Sequence, residues 1–340
     1  MLKYKTTFVL GAGASSEYKM PLGSELLRDI SGMFERLSDG QLGTLKEIHW
    51  QAFRWALPIS SYEQGQMDAW HKAAKTLASG IPAFDSIDQL IAAHQSDDRV
   101  ATLGRLCIAY QIAERESRVG LVQNLQVSPR PRPNFNEGYI RQMWSIILRG
   151  IEITPKENLF RNLQVISFNY DRVFQNGIYD LLVSSQLFEK SRCADLVDQI
   201  PVVFPYGQWA SWRSELDFSA LRNGAYMESI SKSISTFTSD SSAHNADTVR
   251  NLFRDSEVIV FLGFGFHDAN LKFLPLPETR PEATVLATVF GTSQQTQYRV
   301  KTAIEAAFAP SKASLPVKPI EFVDGVASKL LKDYKDFLAA

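Results

Sequence analysis

The sequence predicts an α/β protein built on a doubly wound parallel sheet with a helical insertion subdomain, and three observations carry that expectation. Short β-type runs alternate with stretches of helical periodicity, the pattern of consecutive βαβ units. Five places that follow such runs carry small or polar signatures: Gly11-Ala12-Gly13-Ala14-Ser15, Ser167-Phe168-Asn169-Tyr170-Asp171, Pro205-Tyr206-Gly207, Gly263-Phe264-Gly265-Phe266-His267-Asp268 and Gly291-Thr292-Ser293. Between about residues 40 and 160 the texture turns helical and convincing strand runs are absent.

Taken in order, Thr6 to Leu10 is a short β run closed by the small-residue turn at Gly11 to Ser15. A helix is predicted over Leu22 to Leu37, where Leu26, Leu27, Ile30, Met33, Phe34 and Leu37 recur at helical spacing. The insertion carries helical patterns over 45–56, 65–79, 86–95, 98–118 and 137–149. Asp85 or Ser86 is placed to cap the third of these, and Ser128 to Pro133 breaks the last two apart. Strands are then predicted over Leu163 to Phe168, Pro201 to Phe204, Val258 to Leu262, Thr284 to Phe290 and Ile320 to Val323. Helices follow through Leu182, from Gln294 to Phe308, and at the C-terminus. Ser229 to Ser242 reads as a serine-rich mobile loop. The resulting division is a sheet domain over 1–39 and 160–340 with an insertion over 40–159.

Composition narrows the function classes. The chain has 340 residues, 45% hydrophobic and 21% charged, with a formal net charge of −1, which is ordinary globular composition. No strongly basic face or tail points to direct nucleic-acid binding. Arg130 and Arg132 sit among prolines and read as a loop, with a phosphate-steering patch as the alternative. Two unclustered cysteines, Cys107 and Cys193, give neither a disulfide framework nor a zinc site, so no metal is expected. The apolar run in the first ten residues is short for a signal peptide, and no stretch approaches the roughly 18 apolar residues of a membrane helix. A cytoplasmic protein with no membrane attachment is the expectation.

In an open parallel sheet the ligand crevice lies beyond the carboxyl ends of the strands, so the five signatures are expected to converge. Gly11 and Gly13 would let backbone amides approach a pyrophosphate, the signature of a Rossmann-like dinucleotide site. Ser16 stands where a third glycine would complete the dehydrogenase fingerprint, and no strand ending in an acidic residue follows. Hydride transfer is therefore disfavoured. Asn169 and Asp171 flank an aromatic residue just past a buried strand. One or both could cap the next helix; alternatively Asn169 would meet ribose hydroxyls or a water, and Asp171 a carboxamide or a developing positive charge.

These motifs, with Met20-Pro21-Leu22-Gly23 and Phe84-Asp85-Ser86-Ile87-Asp88, resemble the SIR2-like proteins of bacterial anti-phage defence. The resemblance implies an NAD+ site and cleavage of the nicotinamide–ribose bond, with NAD+ depletion on infection. It implies that Gly11, Ala12, Gly13 and Ser15 hold phosphates and ribose. Asn169 would position the ribose or the attacking water, Asp171 would orient the nicotinamide, and Gly207 would belong to the cofactor-binding set. Gly263, Gly265, His267 and Asp268 would line the adenosine side. Tyr206 stands where the family carries the histidine of a His-Gly pair, or Phe204 does if the motif is His-x-Tyr-Gly; Tyr206 enters the catalytic set on that ground. His267 is an alternative base, and unaided water capture a further route. The resemblance also implies a homo-oligomer or a defence partner of ATPase or Argonaute type. The alternative function is a catalytically degenerate subunit that binds NAD+ or ADP-ribose for sensing or assembly. Trp50, Trp55, Trp70 and Trp144 read as core, Trp209 and Trp212 as either a nucleotide cover or a core edge. His49, His71 and His94 are expected to face solvent, and His244 to lie in the serine-rich loop.

Overall fold

A computed structural model describes residues 1–54, 56–57, 64–121, 132–151, 158–214, 218, 221, 229–230, 232–235, 240–274, 283–308 and 319–340, with backbone only at 64 and 240–245. Trp55, Arg130, most of the proline-rich break and the side chain of His244 lie outside the described residues.

Six strands form one parallel sheet: β1 (Thr6–Leu10), β4 (Leu163–Ser167), β5 (Val202–Val203), β6 (Val258–Leu262), β7 (Thr284–Thr288) and β8 (Ile320–Val323). Their spatial order is β5-β4-β1-β6-β7-β8. Numbered by their sequence within this sheet, that is the 3-2-1-4-5-6 order of a doubly wound Rossmann-like sheet. The chain builds outward from β1 on one side, returns to the centre, and builds outward on the other. The switch point falls between β1 and β6, at the middle of the sheet.

The central strands are buried on both faces because helices flank the sheet: every residue of β1, β4 and β6 is buried, the polar Thr6, Thr7, Gln164 and Ser167 included. In register, Leu10 pairs with Ser167 on one side and Leu262 on the other. Gly11, Phe168 and Gly263 therefore leave the sheet at one level. The convergence expected of the strand-end signatures follows from this parallel register.

The helices are α1 (Ala12–Ser15), α2 (Gly23–Ser31), α3 (Glu47–Phe53), α4 (Gln64–Gly80), α5 (Ile87–Ala93), α6 (Asp98–Arg118) and α7 (Gly138–Ile147) before β4. After it come α8 (Val173–Ser184), α9 (Lys190–Asp198), α10 (Asp240–Arg254), α11 (Asp268–Leu271), α12 (Gln294–Phe308), α13 (Ala327–Asp333) and α14 (Lys335–Leu338). The apolar side chains of α4 to α7 join one continuous buried cluster with those of β1, β4 and β6. Ser86 is the cap of α5, its Oγ accepting from Gln89 N–H at 3.2 Å.

Four expectations are corrected. The helix over Leu22 to Leu37 stops at Ser31, where Gly32, a poor helix former, ends it; Phe34–Arg36 is instead strand β2. It pairs antiparallel with β3 (Leu42–Leu45) inside the region read as strand-free. This hairpin spans the boundary expected at residue 39. The serine-rich stretch enters α10 from Asp240 onward. Finally, His49, His71 and His94 are half-buried rather than solvent-facing: His49 packs edge-on to Tyr110, His71 to Trp50, and His94 Nδ1 lies 3.3 Å from the Leu90 carbonyl.

Candidate functional site

The switch point is built from backbone. Gly11 N–H donates to the Leu262 carbonyl at 3.0 Å and Gly13 N–H to that of Gly263 at 2.9 Å. A Cβ on Gly11 would lie 2.5 Å from Gly263 O, and one on Gly263 would lie 2.1 Å from Ala14 N, at a positive φ of +56°. Two strand ends thus cross with no room for a side chain between them. The glycines serve that approach first, and their own amides are spent on it.

Asn169 ties the second motif to the first. Its Nδ2 donates to the Gly11 carbonyl at 3.0 Å and to Ser15 Oγ at 2.9 Å. A carbonyl can only accept, so the orientation of the amide is fixed by its partners. Ser15, itself buried, lies near enough to Asp171 for its hydroxyl to favour the charged carboxyl. Ser15 thus stands between Asn169, which it meets by a hydrogen bond, and the Asp171 carboxyl. The Oδ1 of Asn169 takes no donor from the described residues.

Asp171 is enclosed, and burial pushes its carboxyl up to about 7 despite the hydrogen bond from Val173 N–H at 3.0 Å; the charge of Glu116 pushes the same way. The bond from Val173 ties Asp171 to the start of α8, whose N-cap position is Arg172 and carries no side-chain cap. At neutral pH this carboxyl is divided between acid and base forms.

Tyr206 is buried and its hydroxyl donates to Asn270 Oδ1 at 2.7 Å, while Asn270 Nδ2 donates to the Gly265 carbonyl at 2.7 Å. Burial, with the charge of Asp88, drives the phenol far above its usual range. Tyr206 is therefore a proton donor locked in a bond and no base near neutral pH. Its ring packs edge-on to Phe168 and Phe273, with centroids 5.5 and 5.6 Å apart. Gly207 sits at φ +73°, where a Cβ would strike the Ser233 carbonyl at 1.9 Å. It holds a backbone crossing with the bridge to Ile234.

Three residues outside the sequence-predicted site join it. Asp88, on α5, accepts from Tyr170 Oη at 2.6 Å, and burial pushes its carboxyl up to about 6. Glu116, on α6, grips Arg172 through the backbone N–H at 2.8 Å, Nε at 2.9 Å and Nη2 at 2.7 Å. Arg172 also donates to the Ser214 carbonyl at 3.0 Å and lies 4.2 Å over the ring of Trp209. Trp209 is thereby placed in the core, while Trp212 Nε1 donates to Asp198 at 2.8 Å. Only the Phe84 to Asp88 motif signalled any of this beforehand.

The β6 end is different in its outer part. Gly263 N–H donates to Thr288 Oγ1 at 2.7 Å, but His267 and Asp268 are exposed. Asp268 pairs with Arg299 at 3.0 Å in open solvent. Arg132 pairs with Asp180 on α8.

Fold and switch point together define a Rossmann-like α/β protein. The chain matches no protein-family model, no curated protein and no solved structure. Among the described residues no group of His, Cys, Asp and Glu side chains is arranged to hold a metal ion, and no helix is long and apolar enough to cross a membrane. Both cysteines are buried and unbridged.

Proposed function

We propose that the chain binds NAD+ beyond the β1, β4 and β6 ends and hydrolyses its nicotinamide–ribose bond. The observation that carries this is Asn169: its amide hydrogens are held by Gly11 and Ser15 at the switch point, leaving one open acceptor, Oδ1. An acceptor in that state suits a ribose hydroxyl or a water aimed at the ribose.

In the proposed reaction the C1′–N bond breaks, its electron pair goes to the nicotinamide nitrogen, and water oxygen bonds C1′ and releases a proton. The charge that builds on the ribose is stabilised by fixed dipoles in a site that needs no reorganisation. Asp171 supports this in either form: as the acid it donates to the nicotinamide carboxamide, as the carboxylate it faces the developing cation. Tyr206 takes the role of a donor that fixes Asn270. The similarity of the motifs to SIR2-like defence proteins extends the proposal to NAD+ depletion on infection, in a homo-oligomer or beside an ATPase or Argonaute-type partner.

The locked phenol of Tyr206 favours a second reading, in which NAD+ or ADP-ribose is held without cleavage for sensing or assembly. Nicotinamide release from NAD+ by the purified chain separates the two. Release that Asn169→Ala abolishes supports hydrolysis. Tight binding by calorimetry without release supports the sensor. Neither binding nor release sinks the nucleotide site.

A further inference from the structure

We infer that Asp88, carried by the helical insertion, is a positioning residue for the proposed NAD+ cleavage, acting through Tyr170 to hold Asn169 and Asp171 in place. The inference rests on the reading above, but the geometry behind it is independent of any ligand. Tyr170 is the residue between the two polar side chains, so a shift at 170 moves both. Its hydroxyl donates to Asp88 Oδ1 at 2.6 Å, and its carbonyl accepts from Trp209 N–H at 3.4 Å. Residue 170 is thus pinned at side chain and backbone. The short bond is of the charge-assisted kind, stronger than one between neutral partners.

The other neighbour of Asp171 is held in the same way. Arg172 is bound at its backbone and guanidinium by Glu116. Two acids from two insertion helices therefore clamp the strand-end segment on either side of Asp171. Glu116 cannot be probed cleanly, because removing it strands a fully buried guanidinium. Among the described residues Asp88 pairs with no cation, and its hydrogen-bond partner Tyr170 is neutral. Its loss leaves Tyr170 without its partner but no charge unpaired.

The test uses the full chain and two readouts: amide hydrogen exchange over residues 168–173, and kcat and KM for nicotinamide release from NAD+. Asp88→Ala is expected to speed exchange there and to lower kcat about tenfold while KM stays within about threefold, the cost of misplacing reacting groups. Asp88→Asn, which keeps an acceptor, should restore both to within about threefold of the parent. Tyr170→Phe should reproduce the Asp88→Ala loss, and the double variant should be no worse than either alone. Should Asp88→Ala not fold, Tyr170→Phe carries the same expectation. Unchanged exchange in Asp88→Ala and Tyr170→Phe, or losses that simply add in the double variant, would overturn the inference. A parent chain that releases no nicotinamide would defeat the reaction, while the exchange arm still decides whether Asp88 holds the segment.

Discussion

The ends of β4 and β6 begin alike and finish differently. Both strands are fully buried, both neighbour β1, and both run into motifs with polar side chains. At the β4 end, Asn169 and Asp171 turn inward, are 7% and 6% exposed, and share Ser15 between them. At the β6 end it is the backbone that turns inward, at Gly263, while His267 and Asp268 stand in solvent. One end turns polar side chains inward and the other supplies shape. A polar motif after a strand is therefore no guide by itself to where its side chains go. What decides is whether neighbouring strand ends leave room: Asn169 finds an acceptor and a hydroxyl within reach on the glycine turn, and among the described residues the His267 side chain finds none.

The largest expected effect tests shape. Gly263→Ala would place a methyl 2.1 Å from Ala14 N at a positive φ, so the turn or the start of α1 must move. A loss on the order of 3–5 kcal/mol is expected, read as the shift in urea midpoint at constant slope. A variant of near-parental stability would show that the strand ends are not in contact.

Next comes chemistry. Asn169→Ala leaves the Gly11 carbonyl and Ser15 without their donor in a buried setting, a cost of about 1–3 kcal/mol. Nicotinamide release should fall below detection even where the protein stays folded. Stability loss with full release would move the chemistry elsewhere.

The third test concerns pH. Asp171 titrates at about 7 in the folded chain against a reference value of 3.8, because burial disfavours its charged form. The folded state then holds the proton more tightly than the unfolded state. The corresponding stability is fully present below about pH 4 and is lost as pH rises through about 7. Relative to Asp171→Asn, the parent should lose unfolding free energy steadily over that window and level off above it. Parallel curves for the two proteins would show that the carboxyl is solvated, and with it that the β4 end is as open as the β6 end. Asp88, at about 6, contributes to both curves and cancels in the comparison.

How much of this could be read beforehand follows the range of the interactions. Strands Thr6–Leu10, Val258–Leu262 and Ile320–Val323 and the helices Asp98–Arg118 and Gln294–Phe308 stand where their local patterns put them, because each is specified by its own periodicity. The hairpin at Phe34–Arg36 and Leu42–Leu45 was hidden because Met33, Phe34 and Leu37 also fit a helical stripe. In the structure Leu37 is 43% exposed, and Gly32 has already ended the helix. Helix α9 was passed over, and α10 begins in a serine-rich stretch whose composition suggests a loop. The residues that hold the site segment were out of reach for a different reason. Asp88 lies 82 residues from Tyr170 and Glu116 56 residues from Arg172, and no spacing rule connects such pairs. The strand order, too, is a tertiary fact; only the parallel alternation was local.

The smallest expected effect lies at the outer β6 end, where Asp268 meets Arg299 at 3.0 Å with its side chain 90% exposed. Water competes for both partners, and two mobile side chains must be held to make the pair. Asp268→Asn should therefore shift the stability by no more than about 0.5 kcal/mol, with added salt erasing the difference from the parent. The contrast with Asn169→Ala is the point of the measurement. Both replace one polar side chain in a strand-end motif, and both motifs leave the same sheet edge. If Asp268→Asn were to cost as much as Asn169→Ala, the outer β6 end would have to close over Asp268 in solution, and the division between a chemical end and a shaping end would fail.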